Sequence, residues 1–199
     1  FYNDGMNVLM FDARNHGKSP RQGASTMPKF AEDTLAALDW LRAQGFTGPV
    51  ALAGHSIGAA ACLLAASWRH DMDAVIAIAS FAHPERLMER SMARLRLPGW
   101  LIRLVLAYVE WNIGHRYEDI APVNTICAAR CPVLLVHGGA DTVIPVSDME
   151  EIARCGKKNI RTLRVEGADH DSVEKISSHA GDLTGFLRRA FGKPQAEAE

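Results

Sequence analysis

No stretch of this sequence is long and apolar enough to span a bilayer. The longest candidates, Val50 to Ala66 and Trp100 to Val109, are broken by His55 and Ser56 and by Arg103, and both fall short of the roughly 20 residues that a spanning helix needs. Excess charge is also lacking. With 22 Lys and Arg against 23 Asp and Glu, the net charge is −1, so no basic face is available to neutralise nucleic-acid phosphates. Cysteine is scarce: Cys62, Cys127, Cys131 and Cys155 are too few for a disulfide framework, which points to a reducing, cytoplasmic setting. Cys127 and Cys131 lack Cys-x-x-Cys spacing, and no nearby histidine pair completes a tetrahedral site. Free thiols are expected there, Cys62 reads as a small core residue, and neither metal nor cofactor is implied. Phe1 to Gly5 carry no basic segment or apolar signal core, so no targeting peptide is visible.

What the sequence does contain is alternation. Apolar runs at Asn7 to Phe11, Pro49 to Ala53, Ala74 to Ser80, Pro132 to His137 and Ile160 to Val165 have strand length. The first four are apolar on both faces, as in a parallel sheet covered by helices; the last alternates and suits an edge. Helical spacing predicts helices over Lys29 to Gln44, Ile57 to Arg69 and Ser172 to Phe191, the last with Val173, Ile176, Leu183, Phe186 and Leu187 on one stripe. Strand, helix, strand in repetition means an α/β fold with right-handed crossovers, whose ligands sit beyond the carboxyl ends of the strands. One domain over residues 1–192 is expected, followed by a polar tail from Lys193 to Glu199 that should fray.

The second run continues into Gly54-His55-Ser56-Ile57-Gly58 and then an apolar helix, which is Gly-x-Ser-x-Gly between strand and helix. Such a turn is tight enough to strain the serine backbone, with glycines on either side relieving Cβ clashes. Its hydroxyl would stand beside a helix N-terminus that favours negative charge. A serine needs a base to take its proton, and the base needs a carboxylate to hold its tautomer. Asp141 follows the fourth run and His170 the fifth, so all three stand on one rim. Asp169 and Asp171 flank the base, but adjacent side chains on an extended loop diverge, which favours Asp141. His55 is expected to point away from its neighbour in the elbow, and His137, ending a strand, to lie in the core or behind the site.

The order Ser56, Asp141, His170, together with the elbow, resembles the α/β-hydrolase superfamily in its esterase, lipase and serine-aminopeptidase-like branch. Phe11-Asp12-Ala13-Arg14-Asn15-His16-Gly17-Lys18-Ser19 is similar to that family's Asp-x-Arg-Gly-His-Gly-x-Ser loop, with Asn15 where glycine is usual, and is carried over as scaffold. The resemblance implies a mostly parallel sheet flanked by helices, a hydrolase acting through an acyl-enzyme on a small-molecule carboxylic ester, and an oxyanion held by the Ile57 N–H. Amide or thioester cleavage, or a binding module without catalysis, are alternatives. The segment from about 83 to 130 is implied to be a helical cap, with Trp100, Leu104 and Tyr108 lining the substrate pocket. The resemblance further implies that three strands and the loop giving the second oxyanion donor are absent, so that the chain is a fragment. Its first run would then leave a gap in the sheet or slide across to pair with the second. An open sheet edge makes a homodimer by strand addition a further expectation.

Overall fold

The computed structural model describes residues 1–21, 23–93, 95 and 97–192, with backbone only at 173 and 174; the expected tail lies outside these residues. Four of the five apolar runs become strands: β1 (Ala51–His55), β2 (Ala74–Ile78), β3 (Val133–Gly138) and β4 (Ile160–Val165), all parallel and neighbours in that order. Ala51 faces Ala74, Val75 faces Val133, and Val133 faces Ile160. Period-two alternation sorts the side chains. Val75, Ala77, Val133 and Leu135 face α1 (Met27–Ala43), α2 (Ile57–Trp68) and α7 (Val146–Ala153), whereas Ile76, Leu134 and Val136 face α9 (Ala180–Ala190). Every residue of β3 is buried. In β4, at an edge as expected, Arg161, Thr162 and Arg164 are exposed.

The first run does not behave as expected. Residues 7–11 form no strand; Val8, Leu9, Met10 and Phe11 are exposed, Met10 by 87%, and β1 is itself an edge. The run neither leaves a gap within the described sheet nor slides across to pair with β1. An apolar sequence becomes a strand only where a neighbour supplies ladder hydrogen bonds and a cover, and residues 7–11 have neither.

The predicted helix over Ser172 to Phe191 divides into α8 (Val173–Ser177) and α9, with Ile176, Leu183, Phe186 and Leu187 buried; the Val173 side chain lies outside the described part. Between β2 and β3 stands the helical insertion: α3 (Pro84–Ala93), α4 (Gly99–Ile113), α5 (Tyr117–Ile120) and α6 (Pro122–Thr125). Its entry is clamped to α7. The Ala82 N–H donates to buried Asp148 at 3.0 Å, and Glu151 accepts from Arg86 at 2.8 Å and pairs with His83 at 3.1 Å. Burial pushes the Glu151 carboxyl up, but its bonds to His83 and Arg86 outweigh this and hold it below its ordinary value. Among the described residues no helix is long and apolar enough to cross a membrane.

Free thiols were expected at Cys127 and Cys131, and the structure corrects one of them. Cys127, in a short 3₁₀ turn at Ile126–Ala128, is disulfide-bonded to Cys155 just past α7, while Cys131 and Cys62 are free and buried. The bridge closes a loop of 28 residues in sequence separation that contains β3. Constraining the unfolded chain over such a loop contributes about 3 to 4 kcal/mol in the chain-entropy model. Reduction with dithiothreitol is therefore expected to lower the melting temperature by roughly 10 °C, a drop that replacing Cys127 and Cys155 together by serine should reproduce.

Candidate active site

The turn from β1 into α2 sets the backbone of Ser56. Ser56 adopts φ 54° and ψ −119°, a region that L residues occupy only when their surroundings force it. Its N–H is fixed by a 2.8 Å bond to the Ile78 carbonyl of β2. The two flanking glycines differ in purpose. A Cβ on Gly54 would lie 2.3 Å from the Gly58 carbonyl oxygen, whereas one on Gly58 would meet nothing within 4 Å. Gly54→Ala is therefore expected to cost at least about 2 kcal/mol and distort the elbow, while Gly58→Ala, in the first turn of α2, leaves stability unchanged or slightly raised. Thermal unfolding of the two variants separates them. Of the two free buried thiols, burial pushes Cys62 up to about 12 and also raises Cys131, so both stay protonated at neutral pH.

Three strand ends bring the candidate residues together. His170 Nε2 lies 3.2 Å from Ser56 Oγ, and His170 Nδ1 lies 2.8 Å from Asp141 Oδ2. An ionised carboxylate only accepts, so the Nδ1–H donates to it and Nε2 is left as an acceptor facing Ser56 Oγ. Asp141 is buried, and its other oxygen accepts the N–H groups of Val143 at 2.9 Å and Ile144 at 2.8 Å. Behind it His137, fully buried as expected, donates from Nε2 to the Ile144 carbonyl at 2.8 Å and stands 3.5 Å from Asp141 Oδ2. Gly138 lets β3 approach the base loop, for a Cβ there would lie 2.4 Å from the Ala168 carbonyl oxygen. Asp169 turns away, accepting from Ser172 Oγ and the Asp171 N–H.

The relation to known proteins follows from this geometry. A family model described as serine aminopeptidase, S33, matches residues 1–118, more than half of the chain. The chain belongs to that family. Among relatives of the family member described here, YqkD of Bacillus subtilis strain 168 is 33% identical over 159 residues, covering 76% of this chain and 52% of its own length. YfhR of Escherichia coli K12 is 31% identical over 181 residues, covering 89% and 57%. The chain thus spans about half the length of the curated relatives it matches. Among solved structures, the Pyrococcus furiosus esterase Pf2001 superposes with TM-score 0.71 at 23% identity over 94% of this chain and 71% of that one. A Mycobacterium tuberculosis puromycin-hydrolyzing peptidase gives 0.66 at 21% identity over 85% and 26%. The fold is that of the α/β-hydrolases.

Within this family fold the departure at Asn15 has a simple account. Asn15 sits at φ 67°, the left-handed region where glycine is usual and asparagine is among the residues that tolerate it. The loop is anchored to α1 through Arg14, which makes three bonds to Asp33 of 2.6 to 2.8 Å. Burial pushes the Asp33 carboxyl up, but these bonds outweigh it and hold it below the usual carboxylate range, so the anchor is present at neutral pH and lost on acidification through that depressed range.

The expected substrate-lining residues of α4 lie on its outward side. Leu106 and Ile113 turn inward, while Trp100, Leu104 and Tyr108 are each at least 60% exposed. Tyr108 has a ring neighbour in exposed Trp111, 6.1 Å away. One residue at the site escaped the sequence analysis. His55 reaches the loop that carries His170: its ring centroid lies 4.9 Å from that of His170, and its Nε2 is 2.8 Å from the His170 carbonyl oxygen. Among the described residues no group of three His, Cys, Asp or Glu side chains is arranged to hold a metal ion.

Proposed function

We propose that this chain is a serine hydrolase that cleaves carboxylic esters through an acyl-enzyme, with Ser56 as nucleophile, His170 as base and Asp141 as its orienting acid. The observation that carries the reading is the continuous relay of 3.2 and 2.8 Å from Ser56 Oγ through His170 to buried Asp141. As Ser56 Oγ bonds to the carbonyl carbon, its proton passes to His170 Nε2, and the imidazolium is stabilised by Asp141. The oxyanion faces the Ile57 N–H, which opens α2 and has no acceptor within the helix. Collapse expels the alcohol, which takes the proton from Nε2. Water then attacks the acyl carbon by the same route, releasing the acid and regenerating Ser56.

An oxyanion donor of this kind is worth about 10²- to 10³-fold in turnover. Substrate contact by Trp100, Leu104 and Tyr108 belongs to this reading only for substrates that extend past the rim of the site. The family description and the peptidase neighbour favour one second reading, amide cleavage by the same relay. Kinetics with p-nitrophenyl acetate and alanine p-nitroanilide separate the two. Faster ester turnover is expected, and a preference for the anilide would reassign the substrate class.

A further inference from the structure

We infer that His55 is a positioning residue, holding the base loop in register with the nucleophile through a hydrogen bond from its Nε2–H to the His170 main-chain carbonyl. This rests on the proposed roles of Ser56 and His170. A carbonyl oxygen only accepts, so at 2.8 Å the imidazole of His55 must carry its proton on Nε2. Nε2, protonated and bonded to that carbonyl, cannot itself accept the serine proton.

The bond matters because of where its ends lie. His55 is the last residue of β1 and immediately precedes Ser56, whose backbone is already fixed by β2 and by the first turn of α2. Apart from the side-chain bonds of His170 to Asp141 and Ser56, the loop that carries His170 is restrained by contacts that are local or lie before it. Ala140 N–H donates to the Ala168 carbonyl, Ala168 N–H to Val165, and Asp169 N–H to Ser172 Oγ, with the Ser172 N–H returning to the Asp169 carbonyl. These contacts shape the loop and tie its start to the acid loop, but they do not fix the distance from His170 to Ser56. The His55 bond spans 115 residues of sequence and joins the base's own backbone to the nucleophile's neighbour. The two rings are also tilted against each other by 48°, so the His55 ring limits how far the base swings. A base misplaced by about 1 Å loses about 10²-fold in rate, and a tether this close to Ser56 counters that displacement.

The test uses two substitutions in the full chain. His55→Phe keeps a ring but removes the donor, whereas His55→Gln returns an N–H at a comparable reach. Burst-phase acylation by p-nitrophenyl acetate is expected to slow about tenfold in His55→Phe with KM and melting temperature little changed, and to recover to within about threefold of the parent in His55→Gln. Hydrogen exchange of residues 166–172 reads the tether without requiring activity. It is expected to quicken in His55→Phe and to return in His55→Gln. Unaltered acylation and exchange in His55→Phe would overturn the inference, as would equal losses in both variants or a loss that merely tracks melting temperature. If the parent shows no acylation at Ser56, the proposed function fails, and the exchange measurement alone still decides the tether.

Discussion

Replacing Ser56 by alanine is expected to abolish the acylation burst with p-nitrophenyl acetate and lower turnover by at least about 10⁴-fold while the fold persists. The expectation of a retained fold comes from the elbow. Ser56 Oγ has its hydrogen-bond contact with His170, whereas the backbone is held through the Ser56 N–H and the Ala60 N–H bond to the Ser56 carbonyl. Alanine brings no new strain, since Ala79, at the end of neighbouring β2, occupies φ 52° in this same molecule. Loss of the burst with unchanged circular dichroism would fit the nucleophile role. Turnover at the parent rate would remove it.

Asp141→Asn is expected to lower kcat by about 10⁴-fold with little change in structure, because it forces the base into the wrong tautomer. One oxygen of Asp141 faces two N–H donors, those of Val143 and Ile144, while the other faces His170 Nδ1. An asparagine must turn its carbonyl toward the two donors, which leaves its amide N–H pointing at Nδ1. Nδ1 then has to accept, its proton moves to Nε2, and Nε2 no longer takes the serine proton. Steady-state kinetics and thermal unfolding of this variant check both halves of the expectation. Activity within tenfold of the parent would mean that Asp141 is not the orienting acid.

Much of this arrangement was legible because strand length, apolar patterning and the strand-to-helix position of Gly54 to Gly58 all describe local events. Ser56, Asp141 and His170 could be placed on one rim because each follows a strand of a parallel sheet. What escaped depended on partners distant in sequence. Residues 7–11 have the pattern of a strand but no neighbour to pair with. Cys127 and Cys155 approach to 5.7 Å between Cα atoms only because the turn before β3 and the end of α7 converge in space. On α4, Leu106 and Ile113 turn toward the core while Trp100, Leu104 and Tyr108 stay exposed, a choice of arc that helical spacing alone does not make. The contact of His55 depends on the loop of His170, 115 residues away.

The most direct test is mass-spectrometric mapping of a fluorophosphonate adduct on the parent chain and on His170→Ala. If the relay makes an ordinary hydroxyl nucleophilic, the label is found on the peptide carrying Ser56 in the parent and is lost when the imidazole is removed. Label on a different residue, or undiminished label at Ser56 without His170, would contradict it.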